Sequence, residues 1–301
     1  MALLVLESLL SFRLILHETK KTVASGDSLN IVCKETATSW RSYKMPDWTL
    51  LPIKTDLSIF EKFNFERSPV SINYCFYKPE GFEKLDKPCG LCEMAKACQE
   101  KGESFYITAE EEDCVGKMIL GLPGSPVHYP DGGRLGVNLG TFQRPAGNLV
   151  HRNYCPHMVP GSVHYVLYTP LDKIAYEPDL LVFVCPATQA EVLLRANTYI
   201  TGEPFESIGT SVANCCSLYV YPYQTGKINY MVSGLSWGMN GRHVYPEGLV
   251  IVVIPFQKLP IVIEGLNRMT WYRESLNYSR DDYVKWDADL TKRTQEESKD
   301  W

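Results

Sequence analysis

The stretch PCGLCEMAKACQEKGESFYITAEEEDCVGKMILGL, residues 88–122, carries four of the ten cysteines of the chain. Its CEMAKACQEK segment is typical of a helix, closed by Gly102 where a glycine commonly ends a helix. The following SFYIT segment is typical of a buried strand. Together with its flanking elements, this unit predicts an α/β (or α+β) fold in which helices pack on a mixed sheet.

Elements of both kinds continue on either side of this stretch. The pattern predicts strands over PVSINYCFY, HYVLYTPL, DLLVFVC, PFESIG, KINYMVSG and GLVIVVIPF, and helices over DLSIFEKFNF, QAEVLLRANTYITG and QKLPIVIEGLNRM. Tyr219, Tyr221 and Tyr223 alternate as residues on one face of a strand do. Residues 121–163 are rich in Gly and Pro, which predicts a long lid or binding loop.

The chain predicts two related half-units within one domain. Gly102-Glu103-Ser104-Phe105 and Gly202-Glu203-Pro204-Phe205 each follow a helix and precede a cysteine. We therefore expect a domain over residues 45–272, with half-units at about 66–122 and 164–269. Residues 1–44 are interpreted as an extension that need not belong to the native chain, with Met45 as an alternative start. Residues 273–301 are expected to form a charged, solvated C-terminal tail.

Charge and hydropathy limit the classes of partner. The chain has 30 basic and 35 acidic residues and no long basic run, so we expect no nucleic-acid partner. The apolar N-terminal segment contains Glu7 and Arg13 and is short for a membrane span, so we expect no membrane association. Without a secretory signal, the cysteines are expected to be thiols or thiolates in the cytoplasm.

Five cysteines are candidate metal ligands. Cys89 and Cys92 form a CxxC at a helix entrance, where backbone N–H groups and the helix dipole favour the thiolate that binds metals. Cys114 and the pair Cys215 and Cys216 follow strands and precede a turn or helix, where α/β folds place ligands. The alternative for Cys89 and Cys92 is that they are ordinary buried cysteines at a turn. The alternative for Cys114 and the pair Cys215 and Cys216 is that they are core thiols left by duplication.

Other polar and sulfur-bearing residues are weaker candidates for a ligand or metal site. Arg242 and His243 follow a glycine-rich turn that could hold a carboxylate or phosphate, although a plain hairpin explains it almost as well. Cys155-Pro-His157 offers two soft ligands, but no second pair has zinc spacing, so zinc is unlikely. The remaining cysteines are expected to pack in the core: Cys33, Cys75, Cys98 and Cys185.

Several phrases resemble one known family. They are PVSINY, the cysteine that opens a helix at Cys92, FYITAEEEDC to Cys114, PDLLVF, TYITGEPFE, the pair at Cys215, and YQTGK. Over roughly residues 45–269 the chain resembles the uncharacterised cysteine-rich ArCR family, or domain of unknown function 169. The resemblance implies a recurring set of scattered cysteines, carried here by Cys92, Cys114 and Cys215 or Cys216. It also implies a further cysteine before the Gly-x-Arg turn, where SGLSWGMNGR has only serines.

These observations favour a cysteine-rich redox protein of an anaerobic prokaryote. We expect Cys89, Cys92, Cys114 and Cys215 or Cys216 to bind an iron–sulfur cluster for electron transfer or a reductive reaction, with Cys89 supplying the missing ligand. A redox partner protein is expected, and the sequence names no substrate and leaves open whether the chain is an enzyme. The alternative is a non-enzymatic protein that binds a small anionic ligand and whose cysteines are structural.

Overall fold

The structure is a computed structural model that describes residues 50–125, 131–210, 212–233, 237–269 and 279–300. The extension over residues 1–44, the alternative start at Met45 and the core position predicted for Cys33 lie outside these residues. Among the described helices, none is both long and apolar enough to cross a membrane.

The described strands form one mixed sheet of seven strands, which confirms the predicted α/β class. They are β1 (Val70–Cys75), β2 (Glu83–Lys84), β3 (Phe105–Ile107), β4 (Tyr165–Pro170), β5 (Leu180–Pro186), β6 (Asn229–Val232) and β7 (Leu249–Pro255). Their order across the sheet is β2-β3-β4-β1-β5-β7-β6. β2 and β3 are parallel, and the other neighbouring pairs are antiparallel.

Helices lie before, between and after the strands. They are α1 (Ser58–Glu61), α2 (Leu91–Lys101), α3 (Gly116–Ile119), α4 (Arg134–Asn138), α5 (Pro145–Asn153), α6 (Ala187–Thr201), α7 (Tyr221–Thr225), α8 (Trp237–Gly241), α9 (Leu259–Arg268) and α10 (Arg280–Glu297). A π-helical turn, Cys216–Val220, leads into α7. The predicted solvated tail corresponds to α10, whose described side chains are largely exposed.

The central strand β5 shows how the two faces of the sheet are divided. Its sequence LLVFVCP is almost continuously apolar, as expected for a strand covered on both sides. Leu180 and Val182 belong to one buried cluster, with α2 and the π-helical turn. Leu181 and Phe183 belong to a second cluster, with α1, α6 and α9. Because side chains alternate along a strand, these clusters lie on opposite faces.

The two predicted half-units differ in structure. Both α2 and α6 end at a left-handed glycine, Gly102 (φ 61°) and Gly202 (φ 71°), as predicted. However, α2 packs on one face of the sheet and α6 on the other. The strand predicted over PFESIG is wrong: the segment contains Pro204, which lacks an N–H, and Ile208 exchanges hydrogen bonds with the Asn229 side chain.

Three other local predictions need correction. The tyrosine alternation of Tyr219 to Tyr223 lies in the π-helical turn and α7 rather than in a strand, and Pro222 stands in the first turn of α7. The glycine-rich turn before Arg242 is the short helix α8. The region 121–163 is not one long loop, since α4 and α5 form within it.

Candidate functional site

A pocket of about 460 Å³ lies beside α2, on the face of the sheet opposite α6. Four cysteines line it, and three of them are predicted ligands from separate segments: Cys92 in the first turn of α2, Cys114 before α3, and Cys215 before the π-helical turn. Arg242, which follows α8, also borders it. The structure therefore brings together three of the five predicted cysteine ligands and one of the two predicted anion-binding residues.

A buried glutamate joins the first two cysteine-bearing segments. The Glu112 side chain is 0% exposed, and its Oε1 accepts a hydrogen bond from the Leu91 N–H at 2.8 Å. Its Oε2 accepts from the N–H groups of Lys117, at 2.7 Å, and Cys114, at 3.3 Å. One carboxylate thus caps α2 and holds the loop into α3, which fixes Cys92 and Cys114 at the same end of the pocket.

The same junction requires a glycine. A Cβ on Gly116 would lie 2.7 Å from the Leu91 Cβ and 2.9 Å from the Glu112 Cδ. These distances are shorter than van der Waals contact, so any larger residue would push α3 away from the start of α2. Gly116 therefore allows the close approach that the Glu112 cap needs.

Arg242 also forms ion pairs at the N-terminal end of α2. Its Nη1 donates to Glu93 Oε2 at 2.5 Å, and its Nη2 lies 3.0 Å from Asp113 Oδ1. Glu93 Oε2 also accepts from the Gly90 N–H at 2.8 Å, so the carboxylate is shared between the arginine and the helix terminus. The guanidinium is therefore paired with two acidic groups of the protein.

The thiols are held in the protonated form, contrary to the prediction from helix position. Burial, together with the nearby Cys114 and Glu93, raises the pKa of Cys92 to about 12. Burial likewise raises the pKa of Cys114 and, together with Glu112 and the other two thiols, that of Cys215. The N–H groups expected to stabilise a thiolate are bonded to Glu112 and Glu93 instead.

Two predicted ligands do not line the pocket. The Cys89 thiol is buried and donates to the Met94 Sδ at 3.2 Å, while its backbone pairs with the 111–113 segment. Burial, with Glu93 and Asp113 nearby, raises the pKa of Cys89 to about 12. Cys216 is 0% exposed, and its Sγ lies 3.8 Å from the Thr210 hydroxyl.

Cys155, which the sequence placed in a weak motif, does line the pocket, as does His157. The Cys216 thiol donates to Cys155, which lowers the pKa of Cys155 and raises that of Cys216. Cys155 Sγ also lies 3.6 Å from the His151 carbonyl oxygen. In sequence, only the neighbouring histidine distinguished Cys155 from a core cysteine.

His243 is separated from Arg242. It lines a different surface cavity of about 880 Å³, beside Lys96 and Tyr245. Its carbonyl accepts a hydrogen bond from Lys96 Nζ at 3.4 Å. The two residues predicted as one anion site therefore contribute to different cavities.

The predictions for core cysteines are confirmed for those that the structure describes: Cys75, Cys98 and Cys185 are 4%, 0% and 1% exposed.

The sequence analysis did not identify Glu112, because nothing in the acidic run 110–113 distinguishes it from its solvated neighbours. Within the described ranges, no group of three or more His, Cys, Asp or Glu side chains is placed to hold a metal ion.

Comparison with known proteins identifies the family. The model of the uncharacterised ArCR family, domain of unknown function 169, matches residues 58–265. The chain belongs to this family. The match contains all of the pocket cysteines and excludes α10, much as the sequence resemblance over residues 45–269 indicated.

This ArCR chain is similar to an uncharacterised protein of Methanocaldococcus jannaschii, MJ0308. The two are 27% identical over 196 residues, which cover 64% of this chain and 83% of the archaeal protein. No solved structure matches the ArCR chain. Family membership does not assign a chemistry, which therefore has to be argued from the pocket itself.

Proposed function

We propose that the chain is a cysteine-rich redox protein whose pocket binds an iron–sulfur cluster through Cys92, Cys114 and Cys215. The observation that carries the proposal is that three predicted thiol ligands, from three distant segments of the chain, line one largely apolar pocket, with Cys155 as a fourth lining thiol. Thiolates are the usual protein ligands of such clusters. A cluster distributes its ligands over several irons, so its thiolates need not meet at one point as the ligands of a single ion do.

The surroundings of the three thiols support this assignment. They are raised in pKa by burial and by neighbouring acidic groups, so without a metal they are neutral. A bound cluster would supply the positive charge that makes their deprotonation favourable, as metals do for coordinating thiols. Gly238 and Arg242, from the segment in which the family resemblance implies a further cysteine, border the same pocket.

Cys155 lines the same pocket but is hydrogen-bonded to Cys216, so it is not among the proposed ligands. The three proposed thiolates would then leave one iron of a four-iron cluster without a cysteine ligand. The cluster would supply one-electron transfer, and the open position would suit a reductive reaction on a bound molecule. The protein residues would hold the cluster, shield it from water and keep Arg242 at its edge through Glu93 and Asp113. A redox partner in the cytoplasm of an anaerobic prokaryote remains part of this proposal.

The alternative, a site for a small anion at Arg242 and His243, has less support. Arg242 is already paired with two carboxylates, so an anion would have to compete with Glu93 and Asp113. His243 lies in another cavity. The acidic surroundings of Cys92 favour a cationic group rather than an anion.

The test is anaerobic purification, followed by measurement of iron, acid-labile sulfide and visible absorbance. Cys92→Ser, Cys114→Ser and Cys215→Ser should each lose most of the iron and the absorbance, since each removes one ligand. Cys98→Ser and Cys185→Ser remove thiols that lie outside the pocket and are buried more deeply than the three proposed ligands, and they are the controls. They should keep the wild-type iron content.

Cys89→Ser separates this proposal from the CxxC prediction. Because Cys89 contacts Met94 rather than the pocket, its variant should retain iron. Loss of the cluster in Cys89→Ser would favour the CxxC ligand set. Folded wild-type protein that takes up neither iron nor sulfide under anaerobic reconstitution would refute the cluster altogether.

A further inference from the structure

Two asparagines give the thiol pocket a second kind of chemistry. Asn148 of α5 and Asn214, directly before Cys215, both line the pocket. They are 0% and 4% exposed, so neither can complete its hydrogen bonds with bulk water. Each amide is bonded to the protein through one end only.

The bonded ends fix how the amides are oriented. Asn148 Nδ2 donates to the Gly133 carbonyl oxygen at 2.9 Å, which leaves Asn148 Oδ1 without a hydrogen-bond partner among the described residues. Asn214 Oδ1 accepts from the Thr210 hydroxyl at 3.0 Å, and in the described structure Asn214 Nδ2 has no partner. The residues that line the pocket thus include one with an unused buried acceptor and one with an unused buried donor, which a ligand would reach after a small rotation of each amide.

Such atoms are uncommon in folded proteins, because a buried polar group without a partner destabilises the native state. Two of them, of opposite type, belong to residues that line one pocket, whose volume of about 460 Å³ is in the range of small-molecule sites. A ligand that satisfies both would offset this cost on binding. A molecule with only one of the two functions would leave the other asparagine unpaired.

The charges around the pocket favour a neutral ligand. Arg242 is paired with Glu93 and Asp113, and Arg152 forms two hydrogen bonds with Asp131. The buried Glu112 adds negative charge on the thiol side. A carboxylate or phosphate entering the pocket would therefore displace an existing ion pair or meet like charge.

We infer that the pocket binds a small neutral molecule with a carboxamide or lactam group, whose N–H donates to Asn148 Oδ1 and whose C=O accepts from Asn214 Nδ2. The inference uses the same pocket as the proposed cluster but does not require the cluster. The amide orientations are set by Gly133 and Thr210, and not by the thiols.

The experiment measures binding of three matched probes to the full chain by ligand-observed NMR. Benzamide has both functions, N,N-dimethylbenzamide lacks the N–H donor, and benzoate is the anionic isostere. We expect benzamide to bind at least about ten-fold more tightly than either of the others, because an unpaired buried group in the complex costs that much affinity. Equal or tighter binding of benzoate would overturn the inference.

Variants test which residues are responsible. Asn148→Ala and Asn214→Ala should each weaken benzamide binding about ten-fold. Asn214→Asp keeps an oxygen for Thr210 while it removes the donor, so it should weaken benzamide binding similarly. Asn197→Ala is the matched control, since Asn197 of α6 is buried and also has an unpartnered Oδ1, but lies outside this pocket. It should leave benzamide binding unchanged.

The assay is run on protein with a wild-type melting temperature, both as purified and after removal of iron. Absence of benzamide binding to folded wild-type protein in both forms refutes the ligand site. Absence of iron with intact benzamide binding refutes the cluster alone. The measurements can therefore refute the ligand site and the cluster independently of each other.

Discussion

The two faces of the sheet are closed in different ways. On one face, α6 and α9 pack against apolar strand residues so closely that Gly265 lies against the backbone of Ala196. On the other face, the Glu112 carboxylate joins the start of α2 to α3, and Arg242 links α2 to Asp113. We refer to these as the packing face and the pocket face.

The difference shows where the chain can carry chemistry. On the packing face, the size and shape of each side chain determine how much it stabilises the fold, because dispersion and burial dominate the free energy of folding there. On the pocket face, several buried groups are polar, and each depends on particular partners. A polar network of this kind costs stability when it is incomplete, and its presence beside the pocket thiols is one reason for the functional role proposed above.

The packing face is most sensitive to volume. A Cβ on Gly265 would lie 2.1 Å from the Ala196 carbonyl oxygen, which belongs to the backbone and cannot rotate away. Gly265→Ala should therefore lower the free energy of unfolding by about 3 kcal/mol or more, as overpacking of a rigid contact does. Chemical denaturation measures this difference.

Gly147→Ala is the matched control for that substitution. Gly147 lies within α5, and the nearest atom to its added Cβ would be a Phe142 ring carbon at 3.7 Å. Alanine should leave stability unchanged or raise it by about 0.5–1 kcal/mol. If Gly265→Ala behaves like this control, the close packing of α6 and α9 is not as described.

The pocket face is most sensitive to the loss of a buried acceptor. Glu112→Gln keeps the shape, but its NH₂ group must face one of the three N–H donors that the carboxylate accepts from. We expect a loss of about 2 kcal/mol in the free energy of unfolding, within the range for an unsatisfied buried group. The iron content of the proposed cluster should fall with it, since Cys92 and Cys114 are both positioned by this carboxylate.

Glu110→Gln provides the comparison within the same acidic run. The Glu110 side chain is 79% exposed, and its ion pair with Lys84 is a surface interaction. Its substitution should change stability by no more than about 0.5 kcal/mol. Similar effects of the two substitutions would contradict a special role for Glu112.

The packing face could be predicted almost entirely from the sequence. The strands β5 and β7 are continuous apolar runs, and α6 and α9 carry helical periodicity with glycine or proline at their ends. Here local propensity and tertiary packing favour the same structure, so the pattern of apolar residues along the chain is sufficient to predict the helices and strands.

The pocket face could be predicted only in part. Cys92, Cys114 and Cys215 were recognised because each stands at the boundary of a regular element. Glu112 could not be distinguished from its neighbours, because its burial results from a long-range contact with the start of α2. The π-helical turn was mistaken for a strand, although Pro222 within the tyrosine run argued against one.

The smallest expected effect concerns Asp179, whose carboxyl lies against the backbone of β1. Asp179 Oδ2 accepts the Tyr74 N–H at 2.7 Å, and burial raises the pKa of Asp179 to about 6. Because this pKa is above the ordinary value of 3.8, the folded state holds the proton more tightly than the unfolded state does. The stabilisation by the protonated form is complete below pH 3.8 and is lost as the pH rises to about 6.

Asp179→Asn keeps an oxygen for the Tyr74 N–H but does not titrate. The wild type should therefore lose about 1 kcal/mol more stability than the variant as the pH is raised across this window, since the partly solvated carboxyl realises only a fraction of the full linkage. Urea denaturation at several pH values between 4 and 7 measures the difference. The exposed Asp172→Asn is the control and should keep the wild-type shape of the curve. Parallel curves for Asp179→Asn and the wild type would show that Asp179 is already ionised in the folded protein across this window, and that its surroundings are more hydrated than its burial indicates.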